Sequence, residues 1–85
     1  MTKTEFSRTA NTKQKRQLKK ARYALNAYLR EIERDEQMRE SNATQKELKD
    51  QLKNIRYCDR RQKAERETLM VFCDLTRIEA QDLID

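Results

Sequence analysis

Hydrophobic side chains fall at helical spacing in two long stretches of this chain. Leu18, Ala21, Leu25, Tyr28 and Ile32 recur at steps of three and four, which lines one face of an α-helix. Leu29 widens that stripe, and Met38 continues it past a charged run at residues 33–36. A second stripe passes through Leu48, Leu52 and Ile55, with Tyr57 and Cys58 beside it. Between the two lies Ser41-Asn42-Ala43-Thr44, rich in side chains that compete for backbone hydrogen bonds and so favour turns. Thr44 and Glu47 fit a capping box directly before Leu48. The pattern predicts one helix over about residues 12–40, capped by Asn11 or Thr12, and another over about 45–73.

The two ends of the chain read differently. Residues 1–11 are polar and Thr-rich, with Phe6 the only large side chain besides Met1, and they read as a flexible, polar and basic tail. Near the other end Leu69, Met70, Val71, Phe72, Cys73, Leu75 and Ile78 crowd together after a polar run from Asp59 to Glu67. A segment apolar on all sides of a helix needs covering on all sides. Thr76 and Glu79 form a second possible capping box, with Leu75 placed as its staple. A break near Asp74 with a short helix over about 77–84 is therefore favoured over one helix running to the end.

Folding the long helices about residues 42–43 sets Met38 against Leu48, Ile32 against Ile55 and Tyr28 against Cys58. Leu18 comes level with Leu69, and the polar run faces Ala21, Ala24 and Ala27. The expected fold class is all-α: an antiparallel helical hairpin of two long helices with a short third helix. One hairpin buries little surface. Leu69, Met70, Phe72, Leu75 and Ile78 are thus expected to form an interface, either with a second copy in a homo-oligomeric bundle or with another protein.

Composition sharpens this picture through what is missing. The 85 residues contain no Gly, no Pro and no His, while 41% are charged. Without Gly, turns that need a positive φ are costly; without Pro, nothing forces a long helix to kink. Both absences favour helices with few connections. The lack of His removes the commonest general base and metal ligand, and Gly-rich phosphate loops are excluded outright. A non-enzymatic protein with no metal, no cofactor and no small-molecule substrate is expected. Cys58 and Cys73 would sit ~22 Å apart on one helix at about 1.5 Å per residue, too far for a disulfide. Two unpaired thiols, and no apolar run long enough to span a membrane, place the expected site of action in the cytoplasm.

Charge supplies the functional candidate. Residues 1–30 hold nine Lys or Arg and one acid, whereas residues 31–85 hold eleven cations and fourteen acids. With Leu18 at heptad position a, Lys15 and Arg22 fall at e, Arg16 at f, Lys19 at b and Lys20 at c. Together with Lys13 these make one exposed basic flank, which fits phosphate tracking on DNA or RNA. The same flank also fits an ordinary solvated helix face. Arg60, Arg61 and Lys63 come level with it and either extend it or are neutralised by Asp59 and Glu65. Tyr23 lies in the basic run off the apolar stripe, which makes it the tyrosine to watch for base contacts. The expectation is an oligomeric accessory or regulatory protein that binds nucleic acid through this flank. The alternative is an adaptor or inhibitor docking through the apolar 69–84 segment.

Overall fold

A computed structural model describes all 85 residues. Four helices follow in order: α1 (Lys3–Thr9), α2 (Thr12–Glu40), α3 (Gln45–Cys73) and α4 (Arg77–Ile84). There are no strands. At about 1.5 Å per residue each 29-residue helix is ~43 Å long, and the two pack side by side in a rod of 49 × 20 × 19 Å.

Each helix starts on a side-chain cap. Thr2 accepts from the Glu5 amide, Asn11 and Gln14 complete a reciprocal capping box, and Thr76 and Glu79 complete another. At α3 only half of the expected box forms: Thr44 accepts from the Glu47 amide, and no return bond is made. The ends of α2 and α3 both require a left-handed residue. A chain without glycine supplies Asn42 (φ 57°) and Asp74 (φ 50°) there. Asn and Asp visit that region more readily than other residues bearing a Cβ. Each is followed by an amide that bonds five residues back, Ala43 to Met38 and Leu75 to Met70, which closes the helix and reverses the chain.

The register of the hairpin is visible in its cross-helix bonds. Gln14 Nε2 donates to the Phe72 carbonyl oxygen at 2.9 Å. Gln17 Nε2 donates to the Glu65 carbonyl oxygen and to Glu65 Oε2 (3.0 and 2.7 Å). Gln51 Nε2 does the same to the Glu31 carbonyl oxygen and Oε2 (2.9 and 2.7 Å). These bonds run α2 and α3 antiparallel and identify their seam. On α2 it is Gln14, Gln17, Ala21, Ala24, Tyr28, Glu31, Asp35 and Met38; on α3 it is Leu48, Gln51, Ile55, Cys58, Gln62, Glu65, Leu69 and Phe72. Every one of these positions is buried or half-buried, and the steps alternate three and four as a heptad seam demands.

The seam is therefore not the stripe of Leu18, Leu25 and Ile32. On α2 the seam consists mostly of small, amide and acidic side chains, and on α3 of leucine, isoleucine and phenylalanine interleaved with polar ones. Leu18 instead turns to the side where α1 and α4 pack, joining Phe6, Ala21, Leu69, Leu75, Ala80, Leu83 and Ile84 in one core cluster at the open end of the hairpin. Leu25 and Met70 pack against its edge.

Two expectations are corrected here. Residues 1–11 are not a tail: α1 occupies most of them, because burying the Phe6 ring, only 4% exposed, holds a helix too short to persist alone. The 69–78 cluster is not left for a partner in the way expected. Leu69 and Leu75 are buried in the chain's own core, and Met70 and Phe72 are half-buried. Only Val71 (79% exposed) and Ile78 (75%) stay in water.

Candidate nucleic-acid interface

Because the seam and the α1–α4 layer are fixed, the remaining helix positions sort onto two sides of the hairpin. On the capped side lie α1, α4 and, further along, Leu25, Leu29, Ile32 and Leu52. The opposite, open side is built at 100° per residue from Lys13, Arg16, Lys20, Tyr23, Ala27, Arg30, Arg34 and Gln37 of α2. Facing them on α3 are Glu47, Asp50, Asn54, Tyr57, Arg61, Ala64, Thr68 and Val71. All of these are exposed except Ala27 and Thr68, which are half-exposed. A groove lined by Lys13, Arg16, Lys20, Thr68 and Phe72 runs between the two helices on this side.

The charge on the open side is one-signed over most of its length. From Lys13 to Arg30 on α2, and from Asn54 to Val71 on α3, it carries Lys13, Arg16, Lys20, Arg30 and Arg61 and no acid. Asp50 and Glu47 appear only at the hairpin tip. None of the five cations is in an ion pair; the three ion pairs of the molecule are Met1 with Glu79, Arg39 with Asp35 and Lys63 with Asp59. Glu65 borders the groove from the seam beneath, where Gln17 holds its carboxylate. Lys13 Nζ sits 4.6 Å from the centre of the Phe72 ring, a contact that orients the ammonium without neutralising it.

The structure divides the six basic residues expected to act together. Lys13, Arg16 and Lys20 share the open side, and Lys19 lies on the outer back of α2. Lys15 and Arg22 fall on the capped side, where with Lys19 at the edge they line a cleft with Lys3, Ser7 and Phe6 of α1, four cations and no acid. Arg22 is moreover engaged: its Nε and Nη2 donate to the Leu83 carbonyl oxygen at 3.2 and 2.8 Å. It caps the end of α4, as a cation favours at a helix C-terminus. The reason for the division is the shifted seam, which rotates every position on α2 relative to a stripe centred on Leu18.

The polar midsection divides as well. Lys63 bonds Asp59 at 2.9 Å, and that hydrogen bond holds the Asp59 carboxyl below its usual range. Arg61 alone of the three cations there joins the open side, while Arg60 points to the back. Sequence reasoning missed Arg30 as a member of one surface with Lys13, Arg16 and Lys20, and offered Arg61 only together with Arg60 and Lys63; the signal that separates them is the heptad spacing of the polar Gln and Ala positions, not of the leucines.

No group of three His, Cys, Asp or Glu side chains is arranged to hold a metal ion, and no helix is long and apolar enough to cross a membrane. Comparison of the chain with protein-family models, with curated proteins and with solved structures finds no match.

Proposed function

We propose that this protein binds nucleic acid through the open side of its α2–α3 hairpin, as a non-enzymatic accessory or regulatory protein. The observation that carries the reading is the run of five unpaired cations over a surface spanning two helices, where the one acid at the groove, Glu65, is held from beneath by Gln17. A solvated helix face normally interleaves both signs, as the backs of these same helices do with Lys19 and Glu33 on α2, and Lys53, Arg60 and Glu67 on α3. The open side instead sets positive charge along ~26 Å of α2, from Lys13 to Arg30 at about 1.5 Å per residue. Phosphates laid along it release counterions, which supplies affinity without reading sequence.

The test is a mobility-shift or filter-binding titration at several salt concentrations. With five phosphate contacts the slope of log affinity against log salt is on the order of −3 to −4 for a single strand. Changing Lys13, Arg16, Lys20 and Arg61 to Glu abolishes binding on this account, while changing Lys15 and Lys19 has a small effect. Binding that is unaltered by the first set sinks the proposal.

A second copy of the chain is proposed to cover the capped side beyond the end of α4. Leu29 (51% exposed) and Leu52 (43%) stand in water there beside half-buried Leu25 and Ile32. Association there adds to a small core and leaves the open side of both copies free. Sedimentation at micromolar concentration is expected to give a dimer that Leu29→Lys with Leu52→Lys converts to a monomer; a wild-type monomer contradicts it.

A further inference from the structure

Two aromatic rings stand on the cationic surface with no structural partner. Tyr23 is 59% and Tyr57 is 60% exposed, whereas Tyr28, the third tyrosine, is half-buried in the seam. Tyr23 follows Lys20 on α2, and Tyr57 precedes Arg61 on α3, so each ring lies one helical turn from a cation on the same side. No hydrogen bond ties either hydroxyl to the protein. In a chain with only five aromatic residues, two are held in water on the surface that carries Lys13, Arg16, Lys20, Arg30 and Arg61.

The distance between the rings matters. The cross-helix bonds join residues whose numbers sum to 82 or 86, so Tyr57 comes level with residues 25–29, two to six residues along α2 from Tyr23. That is about 3–9 Å along the axis and about 10 Å across, so the two anchor points are ~10–13 Å apart. Stacked bases of one strand are about 3.4 Å apart. Each ring therefore takes its own base, and the bases between remain unstacked.

We infer that the open side is a single-stranded nucleic-acid platform, with Tyr23 and Tyr57 stacking on two unpaired bases while Lys13, Arg16, Lys20, Arg30 and Arg61 follow the phosphates. This rests on the nucleic-acid reading above and narrows its partner. A duplex offers its phosphates to the cations but hides the faces of its bases. Both rings would then remain in water or against sugar, with nothing gained from their position. A single strand offers both groups at once, and stacking tolerates any base because every base has a π-face. Neither ring is part of the core, so the arrangement separates binding from stability.

The experiment compares a short oligothymidylate, the matching oligouridylate and a duplex of the same length at one low salt concentration. Binding is followed by gel shift and by tyrosine emission. The chain has three Tyr and no Trp, so the emission comes from Tyr23, Tyr57 and the half-buried Tyr28, and the double variant, which retains Tyr28 alone, supplies the background. Either single strand is expected to bind at least tenfold more tightly than the duplex and to quench the emission. Tyr23→Leu with Tyr57→Leu is expected to remove the preference, weakening the single strands tenfold or more while leaving the duplex unchanged. Its circular dichroism should match the wild type. Equal binding of single strand and duplex with emission unchanged overturns the platform and leaves the phosphate surface standing. Absence of salt-dependent binding to all three probes overturns both. A difference between oligothymidylate and oligouridylate shows which sugar the platform prefers and supports it in either direction, provided the double variant loses that binding.

Discussion

Gln17 and Gln51 lock the register of the hairpin. Each is nearly sealed, at 5% and 2% exposed, and each grips both the backbone and the carboxylate of a glutamate on the other helix. A buried amide that loses its partners costs the full desolvation of those groups, so a slipped register is penalised twice over. Gln51→Ala, which strands the Glu31 carboxylate, is expected to destabilise the fold by about 1–3 kcal/mol, read from the midpoint of urea unfolding. A change below a few tenths would remove Gln51 as a register lock. The same residues explain why the seam was hard to read. Gln14, Gln17, Glu31 and Asp35 sit where a hydrophobic scan looks for leucines, and Leu18, Leu25 and Ile32 supply a competing stripe one position along the chain from Gln17, Ala24 and Glu31.

At the scale of elements, the boundaries were legible because they are written in side-chain chemistry. Asn11 with Gln14 and Thr76 with Glu79 begin their helices, and Asn42 and Asp74 end theirs. Helix α1 was not legible: seven residues with one ring have no periodicity, and their helicity depends on what Phe6 finds in the core. Phe6→Ala is expected to cost about 3 kcal/mol and to unprotect the amides of α1 and α4 together in hydrogen exchange. Loss confined to α1 would show that α4 docks without it.

The start of α4 carries a pH dependence. The Thr76 backbone amide, which donates to Glu79 Oε1, and after it the nearby Thr76 hydroxyl hold the Glu79 carboxyl below its ordinary 4.5. A lowered folded pKa means that the contribution is fully present above that ordinary value and is lost as pH falls through the folded one. Protection of the amides at the first turn of α4, taken relative to the intrinsic exchange rate at each pH, should therefore fall on acidification below about pH 4.5, and Glu79→Gln should weaken that response. Burial pushes the Cys73 thiol up instead, so it is a poor nucleophile at neutral pH.

For the whole molecule, the central physical fact is a separation of surfaces. One side of the hairpin is closed at its base by α1 and α4, with Glu79, Asp82 and Asp85 on or just beyond the latter. The other is bare, positive and set with two tyrosines. The sequence shows the charge asymmetry plainly, since nine cations fall in the first thirty residues. It does not show which of them share a surface, because that depends on a seam defined by small and amide side chains and on a partner strip from α3. Lys13, Arg16 and Lys20 were legible only within a group of six, and Arg61 only beside Arg60 and Lys63; the sorting of these cations, the addition of Arg30, and the diversion of Arg22 to the Leu83 carbonyl required the fold.

The account is tested most directly by mapping backbone amide shifts of the labelled protein as an oligonucleotide is added. The largest changes are expected at Lys13, Arg16, Lys20, Tyr23, Tyr57 and Arg61, with α4 and the Leu29–Leu52 surface unmoved by the strand itself. Changes centred on α4 or the capped cleft around Lys15, or none at any ratio of strand to protein, would contradict it.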